Sequence, residues 1–147
     1  MADKIKKEKE GDSTFFHPDL LEVPQGEPPY LKGYKCKQCG KLWFPKFDSC
    51  PNPDCWSEEM AVIPLSRKGT LYSVTDVYIG QPSMREYMPL IVGYIDLPEG
   101  VRIFAQLEGK TGSFQCGDEV ELVIGPVRNN ARGEPVISYK FKKSLQG

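Results

Sequence analysis

From Gly69 to near the C-terminus, apolar and polar positions trade places in short runs. TLYSVTDVYI, PLIVGYIDL, VRIFAQLEG, DEVELVI and EPVISYKF are rich in Val, Ile, Tyr, Phe and Thr, and GQPS, PEG, GKTGS and RNNARGEP separate them. β-Branched and aromatic side chains suit a pleated strand, whereas Gly, Pro and Asn clusters end one. In VRIFAQL the period is two: Val101, Ile103, Ala105 and Leu107 fall on one face, and Arg102, Phe104 and Gln106 on the other. Five such runs within about 75 residues predict a small closed or nearly closed β-barrel, for which the five-stranded OB fold is the natural arrangement.

Upstream the texture differs. The first dozen residues are rich in Lys and Glu and almost free of apolar side chains, which predicts a frayed tail or weak helix. Phe15, Phe16, Leu20 and Leu21 are then spaced to form a short helical turn docked on another surface. Pro24, Pro28 and Pro29 force an extended path, because proline fixes φ and lacks an amide proton. Three units are expected: a tail and linker arm over 1–33, a cysteine-rich ribbon over 34–60, and the barrel over 61–147. The arm is expected to touch a partner through Phe15 and Phe16. The fold class is therefore mainly β.

Composition narrows the setting. The chain has 147 residues, 39% hydrophobic and 27% charged, with 19 basic and 20 acidic side chains. That near balance supplies no general attraction to nucleic acid or an anionic membrane. No stretch approaches the roughly 20 apolar residues a membrane span needs. The charged opening MADKIKKEKEGDS lacks the apolar core of a signal peptide, so a cytoplasmic location is expected.

Four of the five cysteines lie between Cys36 and Cys55, spaced C-x2-C-x10-C-x4-C. In a reducing compartment such clusters hold metal more often than disulfides, and five is an awkward count for a closed disulfide set. Cys36 and Cys39 flank Lys-Gln, and Gly40 follows to permit a tight backbone turn. Cys50 and Cys55 flank Pro-Asn-Pro-Asp, within the spacer range of structural zinc sites. Four thiolates around Zn²⁺ leave no open position, so the metal is expected to hold structure. Iron is the competing metal for four thiolates. KLWFPKF, between the loops, predicts a hairpin strand with Trp43, Phe44 and Phe47 forming a modest apolar face.

No carboxylate pair, phosphate-binding glycine loop or nucleophile elbow is present. The one histidine, His17, lies in the arm, far along the chain from Cys116, and Cys116 is expected to be an inert, at least half-buried thiol. The sequence does not look like a stand-alone enzyme.

A cysteine ribbon followed by SRKGTLYSVTDVY, MPLIVGYIDLPEGVRIFAQLEG, CGDEVELVI and VISYKF resembles the acyl-CoA-associated family of rubredoxin-like zinc ribbons joined to OB folds, over roughly 34–141. The longer second cysteine loop and the proline-rich arm depart from the family pattern. The resemblance implies a non-catalytic accessory subunit that stabilises a thiolase-like catalytic chain and helps form its CoA site. It also implies a hetero-oligomer, a CoA thioester reached through the complex and, from size and layout, a place in anaerobic toluene (benzylsuccinate) degradation. Arg67, Lys68 and Arg85 are then candidate contacts to CoA phosphates, and Tyr72, Tyr78 and Tyr87 candidates to stack on adenine. Met84, Tyr87 and Met88, in a loop of turn residues, are candidate partner contacts, since methionine-rich loops adapt to their partners. The alternative is a module for single-stranded nucleic acid, since Lys35, Lys37, Lys41 and Lys46 cluster on the ribbon.

Overall fold

The structure is a computed structural model, and it describes residues 19–144. Two β assemblies follow one another. The first is organised around β2 (Tyr30–Cys36). Its opening residues pair with β1 (Leu21–Glu22), Leu21 facing Leu31. Its closing residues pair with β3 (Leu42–Trp43), and Lys32 to Cys36 pair along the other side with β4 (Met60–Pro64), in register from Lys32↔Pro64 to Cys36↔Met60.

The second assembly is a closed barrel. Its strands are β5 (Lys68–Val77), β6 (Leu90–Asp96), β7 (Arg102–Glu108), β8 (Glu119–Asn129) and β9 (Pro135–Lys143), in the order β5-β6-β7-β9-β8. All pairs are antiparallel except β7–β9, and β5–β8 closes the ring. All five expected strands are present, in OB-fold arrangement. The period-two reading of β7 holds: Val101, Ile103, Ala105 and Leu107 are buried, while Arg102 and Phe104 face out. Gly93 of β6 sits under a register shift between Leu71 and Ser73 of β5, where a Cβ would run into the Ser73 carbonyl oxygen.

One apolar core joins the two assemblies. Leu21, Leu31 and Leu65 cluster with Leu71, Ile95, Ile103, Val120 and Phe141 of the barrel. Polar fasteners reinforce the seam. The Arg67 side chain donates to the carbonyls of Pro29 (2.9 Å) and Leu122 (3.3 Å), while its own carbonyl accepts from the Leu122 amide at 2.7 Å. Glu99 accepts from both the amide and the hydroxyl of Ser66, at 2.8 and 2.7 Å.

Three local expectations need correction or relocation. Leu21 is not part of a helical turn but of β1, because its pairing to Leu31 buries both leucines in the core; Leu20 lies in the turn just ahead of it. Cys116 is exposed, since it stands in the turn ahead of Gly117 and not within β8. Phe15, Phe16 and His17 lie outside the described residues.

Candidate metal centre

Two loops present the four cysteines. In the first, which links β2 to β3, the Gly40 amide donates to the Cys36 carbonyl (3.0 Å) and the Cys36 amide to the Lys41 carbonyl (2.8 Å). Gly40 takes φ = 81°, the left-handed turn that glycine adopts without a Cβ penalty. The second loop closes through the Cys50 amide on the Ser57 carbonyl (2.7 Å) and the Cys55 amide on the Asn52 carbonyl (2.9 Å). Trp56 stands where Gly40 stands in the first loop, with φ = 59°, and its indole N–H donates to the Pro53 carbonyl at 2.8 Å.

The four sulfurs all lie within 4.8 Å of one another. Cys36 and Cys55 are 3.6 Å apart, as are Cys39 and Cys50, which is too far for a disulfide. A tetrahedron of sulfurs about 2.3 Å from zinc has edges of about 3.8 Å, so the donor set suits a four-thiolate metal. Cys36 and Cys50 are buried, Cys55 is half-buried and Cys39 is exposed.

The thiols do not ionise alike. Backbone amides, that of Cys39 foremost, pull Cys36 down to about 6, against desolvation by burial. The Lys41 amide first, then the neighbouring Cys50 thiol, lowers Cys39. At Cys55 the Ser57 amide pulls down but is outweighed by burial and by the other three sulfurs, which push it up to about 11. Four sulfurs this close cannot all carry negative charge unless a cation shares it. The cluster is thus suited to a soft, thiolate-binding cation such as zinc.

The other candidate residues are dispersed. Arg67 is half-buried and occupied by two backbone carbonyls. Lys68 is exposed, 3.8 Å from Glu119, and shares a cleft with that carboxylate and Asp96, a setting ill-suited to a phosphate. Arg85 is exposed on a 3-10 helix, Pro82–Tyr87. Met84, Tyr87 and Met88 are half-buried, and the Tyr87 hydroxyl donates to Asn129 Oδ1 at 2.8 Å. Tyr78 and Tyr72 are exposed. Of the ribbon lysines, Lys35, Lys37, Lys41 and Lys46 are all exposed, and Lys46 is 3.8 Å from Asp19.

Sequence reasoning missed Tyr94 and Phe104. They are paired across β6 and β7, half exposed, with ring centroids 5.2 Å apart. The signal was present: Phe104 falls on the Arg102/Gln106 side of its strand, an aromatic ring among polar neighbours.

Comparison with known proteins adds an independent line. The family described as ChsH2, C-terminal OB-fold domain, matches residues 62–125. The chain is 62% identical to the benzoylsuccinyl-CoA thiolase subunit BbsA of Thauera aromatica, over 94% of each chain. It is 57% identical to the protein of the same name from Geobacter metallireducens, over 95% of this chain and 93% of that one. A DUF35 domain-containing scaffold protein from Methanothermobacter thermautotrophicus is 33% identical over 76% of this chain and 84% of its own. Among solved structures, the Ltp2-ChsH2(DUF35) aldolase superposes with a TM-score of 0.63 at 22% identity, covering 79% of this chain and 86% of that one, and so shares the fold.

Proposed function

This chain belongs to the family of the BbsA subunits of benzoylsuccinyl-CoA thiolase, and from that membership we propose that it is the accessory subunit of a thiolase-type acyl-CoA enzyme in anaerobic aromatic degradation. The observation that carries the reading is the 62% identity sustained over 94% of both chains, ribbon and barrel together.

The chain's own chemistry agrees with a supporting part. Four cysteines are drawn into the knot, and Cys116 is exposed with no histidine among the described residues to serve as its base. Bond cleavage then falls to a cysteine of the catalytic chain. Zinc would be held by Cys36, Cys39, Cys50 and Cys55. With all four positions filled by protein it would supply folding free energy and no Lewis-acid site. Among the described residues Arg85 keeps its side chain exposed and makes no ion pair of the kind Lys68 makes with Glu119, so we assign it as the contact to a CoA phosphate reached through the complex. Among the described residues no helix is long and apolar enough to cross a membrane, and the complex is proposed to work in the cytoplasm.

The test is to produce the chain alone and together with the companion chain of the Thauera aromatica enzyme, then to measure subunit composition, bound zinc and thiolysis of benzoylsuccinyl-CoA. A zinc-bearing hetero-oligomer that cleaves, beside an isolated chain that does not, is expected. Thiolysis by the isolated chain would sink the reading. An Arg85→Ala complex is expected to need several-fold more CoA for half-maximal rate with its maximal rate retained.

A further inference from the structure

The outward face of β5, β6 and β7 is built unlike a solvated sheet. An antiparallel sheet with one side in water carries polar residues on that side. Thr70, Ser73 and Thr75 follow that rule on β5, yet Tyr72, Tyr94 and Phe104 interrupt it, with 55%, 44% and 52% of their surface exposed. Tyr94 faces Phe104 in the ladder with ring centroids 5.2 Å apart and Ser73 faces Tyr94, while Tyr72, at the irregularity in β5, meets Arg102 of β7.

The backbone at Phe104 and the Arg102–Tyr72 pair are held in place. The Tyr139 hydroxyl donates to the Phe104 carbonyl at 3.1 Å. Arg102 is clamped to Asp96 by two hydrogen bonds, 2.6 and 3.1 Å, and its guanidinium lies 3.5 Å over the Tyr72 ring. Side chains fixed before contact lose little freedom on binding, and Tyr and Arg are the residue types that anchor interfaces. Arg102 is also neutralised by Asp96. A nucleic-acid strand needs cations free to meet its phosphates, so this face is poorly suited to one although its rings are of the stacking kind.

We propose that this face, centred on Tyr94 and Phe104, is where the catalytic thiolase-type chain seats. The proposal rests on the accessory-subunit reading and adds where that contact is made. Each ring has about 150–250 Å² to bury and stands about half exposed, which leaves on the order of 300 Å² of aromatic surface. Ringed by Thr70, Ser73, Thr75, Val92 and Gln106, that centre has room to grow into the about 800 Å² per partner of a stable interface. The barrel is closed, so a partner cannot add a strand to it and must meet a face. The occupant is the catalytic chain and not a second copy, because the 62% and 57% relatives are named as subunits of a thiolase.

The test pairs Tyr94→Thr with Phe104→Thr in one chain, both exposed strand positions where threonine is at home. Wild type and variant are titrated against the companion chain of the Thauera aromatica thiolase. Far-UV circular dichroism and bound zinc serve as checks on folding, and sedimentation follows each chain alone. Expected is a folded, zinc-bearing variant whose dissociation constant is raised at least 100-fold. Variant binding within threefold of wild type overturns the proposal while leaving the accessory-subunit reading intact. Failure of the wild type to bind overturns both. A wild-type homodimer that the substitutions dissociate, with companion binding retained, assigns the face to self-association and overturns it. So does a folded single-strand complex lost on substitution while the companion still binds.

Discussion

Gly40 and Trp56 each follow the second cysteine of a loop, and both have positive φ, 81° and 59°. Glycine adopts that conformation freely, whereas a Cβ there costs roughly 1–2 kcal/mol. No atom lies within 4 Å of a Cβ built at Gly40, so Gly40→Ala isolates the backbone cost from any clash. The variant should lose about 1–2 kcal/mol in urea unfolding and bind zinc roughly tenfold more weakly in a chelator competition. Asp96 offers a pH handle. Hydrogen bonds from Arg102, opposed by burial, hold its carboxyl below the usual carboxylate range. The unfolded chain therefore binds the proton more readily, and stability rises with pH across that window. The contribution is present above about pH 4 and is lost as the pH falls through the lower folded value. Both partners are nearly half exposed, so the effect is small. Urea midpoints measured from pH 2 to 5 should show a shallower slope for Asp96→Asn than for wild type.

At the scale of the strand, Arg67 separates two roles that its sequence position left open. Beside Lys68 at the entrance to the barrel it resembled a phosphate ligand, yet its side chain spans Pro29 and Leu122 and its carbonyl takes the Leu122 amide. Arg67→Met should leave those two carbonyls without their charged donor and cost about 1.5–3 kcal/mol in urea unfolding. If Arg67 is only a fastener, the concentration of CoA for half-maximal rate in the complex stays at the wild-type value; a several-fold rise would restore it as a ligand. What was legible here follows from local physics. The barrel strands could be read because alternation has a period of two and the turns carry Gly and Pro. The convergence of the four sulfurs could be read because two short spacers each form a turn. Leu21 and Leu31 were read as part of an arm because nothing local says that a leucine near several prolines pairs into a sheet. Tyr94 looked like an ordinary strand residue for the same reason: which side of β6 meets solvent is decided by barrel closure, not by its neighbours in sequence.

Whether ribbon and barrel stand or fall together is decided by the core they share. Leu21, Leu31 and Leu65 come from the cysteine side, and Leu71, Ile95 and Phe141 from the barrel, yet all are at most 3% exposed within one cluster. Phe44, between the cysteine loops, also meets Tyr139 of β9 edge-on at 6.0 Å. Loosening the cysteine loops must therefore uncover barrel side chains as well. Four-thiolate zinc contributes about 10–16 kcal/mol in isolated finger peptides. If removing it cost the shared core even about 4 kcal/mol, a chain of this size would melt roughly 8–16 °C lower. Treatment with a strong chelator should move the whole calorimetric transition down by that amount as a single peak, with the fluorescence of Trp43 and Trp56 and far-UV circular dichroism changing together. A barrel that keeps its melting temperature while the tryptophan signal departs early would mean that β1, β2 and β4 are merely laid against the barrel. In that event the leucines of the seam contribute little, and zinc governs the ribbon alone.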